Sequence, residues 1–285
     1  MVDYYNHQYL IRRWRNRNKE QKILKRVQEH YDYLVSKGYE VVFVSLYGSQ
    51  NYGLDVYDEE YMSDVDTKAV VLPSFEDIVY NKTPISTTLE LENKEHIDVK
   101  DVRVMFENYK KQNVNFVETL FTDYKVVNPK YEDIVSTLFD KNEQIAHINT
   151  NQMIRCMAGM SMEKKKALQH PYPTIIDKIE KYGYDPKQLH HIIRINDFIK
   201  EYITGIPFKQ CLQSQRKGFL IDVKKGCYLV EDAVRIADVT DADTRKVKDI
   251  YVKDKDVINK EGMEVLDKAK FELLKRKFKA DLQKE

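Results

Sequence analysis

Residues 41–72 read VVFVSLYGSQNYGLDVYDEEYMSDVDTKAVVL, and this stretch decides the fold because it sets a strand, a turn, a polar excursion and a second strand around two carboxylates. Residues 41–46 are a short apolar, β-branched run of the kind that makes a buried strand, and Gly48 and Ser49 close it where a turn is needed. Asp64 and Asp66 stand two residues apart at the head of a second apolar run, residues 67–72. Strand periodicity puts both carboxylates on one face.

Downstream, Pro73 ends the second strand and residues 74–80 predict a short helix. Residues 85–91 and 96–99 then read as a hairpin or two successive strands. On the later strand Ile97 and Val99 face one way and Asp98 the other, so Asp98 is a third carboxylate that lies opposite Asp64 and Asp66 if the strands are neighbours. Upstream, residues 9–37 have helical periodicity with Gly38 as the stop. The first half of that helix is basic, with Arg12, Arg13, Arg15, Arg17, Lys19, Lys22, Lys25 and Arg26 near Trp14 and several tyrosines. Two readings stand: a patch that meets phosphates while its rings stack on bases, or an ordinary solvated helix face.

From Asp101 onward the pattern is helical. A break falls at Gln112-Asn113, and a short helix follows over 117–121. Asn128-Pro129 reads as a cap with proline at the first helical position, and one long helix is predicted over 143–168. Asp185-Pro186 repeats the cap and proline logic for a helix to about 203, and Phe271, Leu274, Phe278 and Leu282 form an apolar stripe on a C-terminal helix. The fold class expected is α+β (α/β): an N-terminal α/β half, residues 1–125, and a mostly helical half, residues 126–285. No flexible linker separates them, which predicts two lobes packed around a cleft.

Composition narrows the function without choosing it. At 285 residues with 42% hydrophobic content the chain can build a proper core, and a formal net charge of +1 gives no global attraction for nucleic acid. The three cysteines, Cys156, Cys211 and Cys227, show neither CxxC nor Cys/His ligand spacing, so free thiols in a reducing compartment are expected. The opening residues carry no apolar signal segment and no run approaches membrane-spanning length, so the expectation is a cytoplasmic protein without a membrane partner.

Two carboxylates on one strand face, with a third across the sheet, can hold one or two divalent metals through oxygen, and Mg²⁺ favours such sparse sites completed by water and substrate phosphates. Gly48-Ser49 offers backbone amides and a hydroxyl to phosphate oxygens. Together they point to phosphoryl or nucleotidyl transfer. A single DxD is weak evidence, but here Gly48-Ser49-x-x-Tyr52-Gly53-Leu54, then Ser63-Asp64-x-Asp66, then Asp98, follow one another, and this order resembles the DNA polymerase β nucleotidyltransferase superfamily. It looks closest to the bacterial and phage branch associated with predicted RNA-repair nucleotidyltransferases. Asn113 to Phe121 (NVNFVETLF), the run Gly183-Tyr184-Asp185-Pro186-Lys187 and the segment His191 to Arg194 are similar to the same branch, so the resemblance extends over much of residues 41–205. It implies a mixed, twisted sheet with a helical second lobe and metal-dependent transfer of a nucleoside monophosphate from an NTP. Gly48 and Ser49 would bind the triphosphate. Asp64, Asp66 and Asp98 would bind Mg²⁺ or Mn²⁺, and Asp98 would also assist deprotonation of the acceptor.

Lys187, His191 and Arg194 are spaced i, i+4, i+7 and share one helix face, where two cations and an imidazole can grip a triphosphate or an RNA backbone. The alternative is a polar outer face. His190, next to His191, is expected to point elsewhere. Glu118 reads as a helix-start or structural residue, and Asp101 as a rival for the third metal position. Between Leu54 and Ser63 the acidic run DVYDEEYM is longer than the short connection of the family, and reads as a solvated tip, a surface that repels nucleic acid, or one that favours a basic protein. The acceptor expected first is an RNA, tRNA-like 3′ end. The alternatives are nucleotidylation (AMPylation) of a protein hydroxyl, and a nucleotide- or RNA-binding module that keeps the fold without catalysis.

Overall fold

A computed structural model describes residues 2–57, 63–253 and 255–283, with the side chains of residues 2–18 outside the description. The side chains of Arg12, Arg13, Trp14, Arg15 and Arg17 and the acids Asp58, Glu59 and Glu60 therefore lie outside the described residues, whereas Lys19 and Arg26 of the same basic run are ion-paired with Asp55 and Glu95.

The two runs that frame residues 41–72 are both strands, β1 (Glu40–Leu46) and β2 (Thr67–Leu72), paired antiparallel. The later hairpin supplies β3 (Ser86–Glu90) and β4 (His96–Asp101), and a further short strand, β5 (Lys125–Val127), completes a mixed sheet of order β3-β4-β2-β1-β5. β2 and β4 run parallel, with Lys68 opposite Asp98. The neighbouring strands expected from the sequence are present, and the fold is α+β.

Alternation along the strands divides the two sheet faces. Val44, Leu46, Ala69, Val71, Ile97 and Val99 pack against Ile23, Val27 and Leu34 of the N-terminal helix Val2–Ser36. Gly38 follows that helix at φ +84°, a backbone that glycine adopts without the penalty of a Cβ. The opposite face, with Val70 and Leu72, joins a larger core that runs from Val42 through Tyr109, Ile193 and Phe198 to Leu273. An irregularity between Val41 and Phe43 puts both Val42 and Phe43 into this second core. Both halves of the chain thus share one core, and the cleft is a seam in it.

Three readings change in the helical part. The tract over 143–168 is two helices, Asn142–Ala146 and Thr150–Ala167, because Asn149 caps the second by accepting from the Gln152 N–H (3.0 Å). The C-terminal helix Lys260–Leu282 buries Leu266, Ala269 and Leu273, whereas Phe271 and Leu282 of the expected stripe are 62% and 53% exposed. Close packing of its first turn fixes that rotation: a Cβ on Gly262 would lie 2.2 Å from the Gln144 carbonyl oxygen. Finally, β5 adds a strand over residues 125–127, to which the sequence pattern assigns no element, where Phe43, Val44 and Ser45 offer it an open edge. Among the described residues no helix is long and apolar enough to cross a membrane.

Candidate active site

The turn after β1 is built on Gly48, whose φ of 98° and ψ of −151° lie in backbone space that only glycine occupies cheaply. It leads into a single helical turn, Ser49–Tyr52, whose first amides have no intrahelical acceptor. Gln50 ties this turn to the carboxylate segment, its Nε2 donating to the Asp64 carbonyl oxygen (2.6 Å) and to the Tyr57 hydroxyl (3.3 Å). Asn51 holds it to the strand end, Nδ2 donating to the Leu46 carbonyl (3.0 Å) while the Thr122 hydroxyl donates to its Oδ1 (2.7 Å).

Beside this turn opens a cavity of about 400 Å³, lined by Gly48, Ser49, Asp64 and Asp66 on one wall and by Lys187, His191 and Arg194 on the other. The helix Pro186–Tyr202 supplies the second wall; Asp185 caps it by accepting from the Lys187 N–H (3.0 Å). Of the residues expected from the sequence to bind nucleotide or metal, Gly48, Ser49, Asp64, Asp66, Lys187, His191 and Arg194 line this space and Asp98 does not. Asp66 accepts from the His96 backbone N–H (3.0 Å) and faces the His96 Nδ1 at 3.3 Å. No described side chain donates a hydrogen bond to the Asp64 carboxylate. Burial and the neighbouring charge of Asp66 push its pKa up, against the pull of Lys187.

Asp98 sits on the strand and face expected, and two lysines engage its carboxylate. Lys68 and Lys100 approach its two carboxylate oxygens at 2.7 and 2.8 Å. Burial alone would raise its pKa, but the two lysines outweigh it and hold the group below the ordinary carboxylate range, which also makes it a poor proton acceptor. Among the described residues no three acidic, histidine or cysteine side chains converge to hold a metal ion. The rival Asp101 is buried beneath Arg103, which donates to it from Nε (2.9 Å) and Nη2 (2.6 Å). Asp64 and Asp66 are hard oxygen donors open to the cavity, and their mutual repulsion is of the kind a divalent cation relieves. The pair fits Mg²⁺ or Mn²⁺, while Asp98 is engaged elsewhere.

Several side chains in the cavity wall carry no clear signal in the sequence. Lys68 is 5% exposed, lies over the rings of Tyr47 (3.9 Å) and Phe116 (4.7 Å), and faces the cavity. Its only advance signal is a charge inside a six-residue strand, two positions after Asp66. Glu118, 2% exposed, accepts from the Tyr52 hydroxyl, and burial raises its pKa against the opposing pull of Arg194, Lys68 and the Gly48 backbone amide. It is a structural residue that reaches the site, because it fastens the Gly48 turn from below. Arg194 stacks 3.9 Å from the Tyr52 ring centre, with its buried Nε lacking a hydrogen-bond partner. His191 is enclosed by protein but reaches solvent through the cavity, and desolvation drives its pKa well below the usual value. His190 does not point away: it also lines the cavity, with Nδ1 at 3.0 Å from the Leu220 carbonyl oxygen, and burial lowers its pKa to about 3. Both rings are therefore neutral near pH 7. Of the acidic connection, Asp55 is described and is ion-paired with Lys19, so this member is not part of a solvated tip.

Fold and site together define an α+β chain whose cleft sets a glycine turn and two carboxylates against a cationic helix face. No protein-family model matches the chain, and no curated protein matches it. Among solved structures it is similar to a nucleotidyltransferase-like protein from Exiguobacterium sibiricum, at 8% identity over 80% of this chain and 74% of that one, with a TM-score of 0.30.

Proposed function

We propose that this chain is a metal-dependent nucleotidyltransferase that moves a nucleoside monophosphate from an NTP to an acceptor hydroxyl, with an RNA 3′ end as the acceptor. The observation that carries the reading is the convergence on one cavity of Gly48, Ser49, Asp64 and Asp66 with Lys187, His191 and Arg194. The Ser49 hydroxyl and the amides that follow Gly48 in the turn would hold triphosphate oxygens, and Lys187 and Arg194 would neutralise them from across the cleft. A Mg²⁺ or Mn²⁺ held by Asp64 and Asp66 would supply charge neutralisation at the reacting phosphate and lower the pKa of the attacking hydroxyl.

In the transfer, the acceptor oxygen forms a bond to the α-phosphorus as the bond from that phosphorus to the bridging oxygen of the β-phosphate breaks, and pyrophosphate leaves. The hydroxyl proton passes to solvent in the cleft, because Asp64 would be held as a metal ligand and Asp98 is engaged by Lys68 and Lys100. Lys68, anchored by Asp98, lends positive charge to the floor of the site. Neutral His191 acts as a hydrogen-bond partner rather than a third cation.

The test is a screen of each α-labelled NTP with Mg²⁺ or Mn²⁺ against RNA and polypeptide acceptors. Label on RNA is expected. Label on polypeptide alone would reassign the acceptor to a protein hydroxyl, and NTP binding with no transfer to any acceptor would leave a non-catalytic binding module.

A further inference from the structure

Three cations reach the cavity without a carboxylate to pair with. Lys164 enters it from the last turn of the helix Thr150–Ala167, and Lys187 and Arg194 enter it from the helix Pro186–Tyr202. Among the described residues none of the three is ion-paired; Asp64 and Glu118 feel Lys187 and Arg194 only through space. Neighbouring lysines are matched, Lys68 by Asp98 (2.7 Å) and Lys165 by Asp238 (2.8 Å). Arg194 is 6% exposed, and its Nε lacks a hydrogen-bond partner. The helix dipole favours lysines in a last turn, which accounts for Lys164, Lys165 and Lys166 as a group. It does not account for Lys164 turning into a space that already holds two cations: burial, then the charge of Lys187, pushes its pKa down against the opposing pull of Glu163 and Asp185. Like charges gathered in a half-buried space repel one another, and an anion placed among them removes that cost.

We propose that Lys164 completes, with Lys187 and Arg194, a pyrophosphate subsite that takes the two terminal phosphates of a nucleoside triphosphate and selects triphosphates over monophosphates. The inference rests on the nucleotidyl-transfer reading for the identity of the ligand and on the three cations for its chemistry. Two bonded phosphates concentrate several negative charges in one place, which matches cations converging from two helices. A nucleic-acid backbone carries one charge per nucleotide, with a sugar between successive phosphates, and would meet these cations singly. When the bond from the α-phosphorus to the bridging oxygen breaks, its electron pair stays on that oxygen and charge grows on the leaving pyrophosphate. Cations already fixed around that position in a poorly solvated site stabilise it without reorganising.

Lys164 is partly exposed, so it can be replaced without opening the core. The probes are inorganic pyrophosphate and inorganic phosphate, read by calorimetry in EDTA so that no divalent metal takes part, and a fluorescein-labelled single-stranded RNA, read by anisotropy without NTP. Wild type should bind pyrophosphate more tightly than phosphate, and Lys164→Gln should weaken pyrophosphate about tenfold, the loss expected for one hydrogen bond to a charged group. Lys164→Arg, which keeps the charge and the donors, should retain the wild-type affinity to within about threefold. RNA affinity should stay within about twofold in the Gln variant, because one lysine inside the cavity is not part of a strand-binding surface. Absence of pyrophosphate binding by wild type, or equal affinity in Lys164→Gln, would overturn the subsite. So would an equal loss of RNA affinity, which would assign Lys164 to the acceptor strand. If these binding results hold while wild type transfers no NTP to any acceptor, the subsite stands and the nucleotidyl-transfer reading fails.

Discussion

Removing Arg194 tests whether the cavity wall is held together by charge. Glu118 lies 2% exposed beneath the Gly48 turn, and Arg194 is foremost among the groups that stabilise its charged form. Arg194 acts on Glu118 through space rather than in a direct ion pair, so its loss should cost less than the about 3–5 kcal/mol of a broken buried pair. Glu118 keeps the Tyr52 hydroxyl and the Gly48 amide, and it can escape by taking up a proton, so Arg194→Met should cost about 2–3 kcal/mol at pH 8. The sign with pH follows from the direction of the shift. A carboxyl whose folded pKa is raised gives its full stabilisation below its unfolded value and loses it as pH rises through the folded value. The variant raises that folded value further, so its deficit grows with pH. Near pH 5 the remaining loss is the cation–π contact with Tyr52, about 1–2 kcal/mol. Thermal unfolding at the two pH values is the assay, and at about 2–4 °C per kcal/mol the Tm should drop roughly 4–12 °C at pH 8 and less at pH 5. Adding Glu118→Gln should recover part of the pH 8 loss, with a coupling of about 1–3 kcal/mol. Equal losses at both pH values, with the two substitutions simply additive, would refute the shared-charge account.

Two further outcomes follow from the same geometry. Gly48→Ala forces a side chain onto a backbone at φ 98°, at a cost of about 1–3 kcal/mol, and should weaken NTP binding measured by calorimetry while the protein stays folded by circular dichroism. Glu95 gives an acid limb of opposite sign to Glu118: burial would raise its pKa, but hydrogen bonds from His30 and Arg26 outweigh this and bring it to about 2. Its stabilisation is therefore present above its unfolded value near 4.5 and is lost as pH falls towards about 2, and Glu95→Gln should flatten that limb in acid-unfolding curves.

The parts of the fold legible in the sequence are those where one residue's neighbours in the chain decide its state. The β-branched runs of β1 and β2 need no long-range information, and the Asp185-Pro186 start of the helix Pro186–Tyr202 is written in its own cap. β5 is only three residues long and exists because β1 offers it a partner, which no local pattern records. The site divides in the same way. The carboxylates, the glycine turn and the i, i+4, i+7 face of Lys187, His191 and Arg194 are local patterns. Lys68, Lys164 and Lys224 reach the cavity through tertiary packing, and their sequence surroundings resemble those of ordinary surface residues; Gln50 and Glu118 lie in runs that are legible, but their contacts in the site are not. Asp98 shows the limit most clearly: its strand and facing were readable, but its engagement by Lys68 and Lys100 depends on the register of three strands.

In the proposed reaction Asp64 and Asp66 support transfer of the nucleoside monophosphate of an NTP to an acceptor hydroxyl within this cleft. Its most direct measurement follows α-labelled and γ-labelled NTP in parallel with an RNA acceptor and Mg²⁺ or Mn²⁺, for wild type, Asp64→Asn and Asp66→Asn. The account predicts stable incorporation of the α label only by wild type, with pyrophosphate released, and loss of at least 100-fold (an order-of-magnitude expectation for removing a group that stabilises the transition state) in each variant despite retained folding. Wild-type rates in both variants, or incorporation of the γ label in place of the α label, would contradict it.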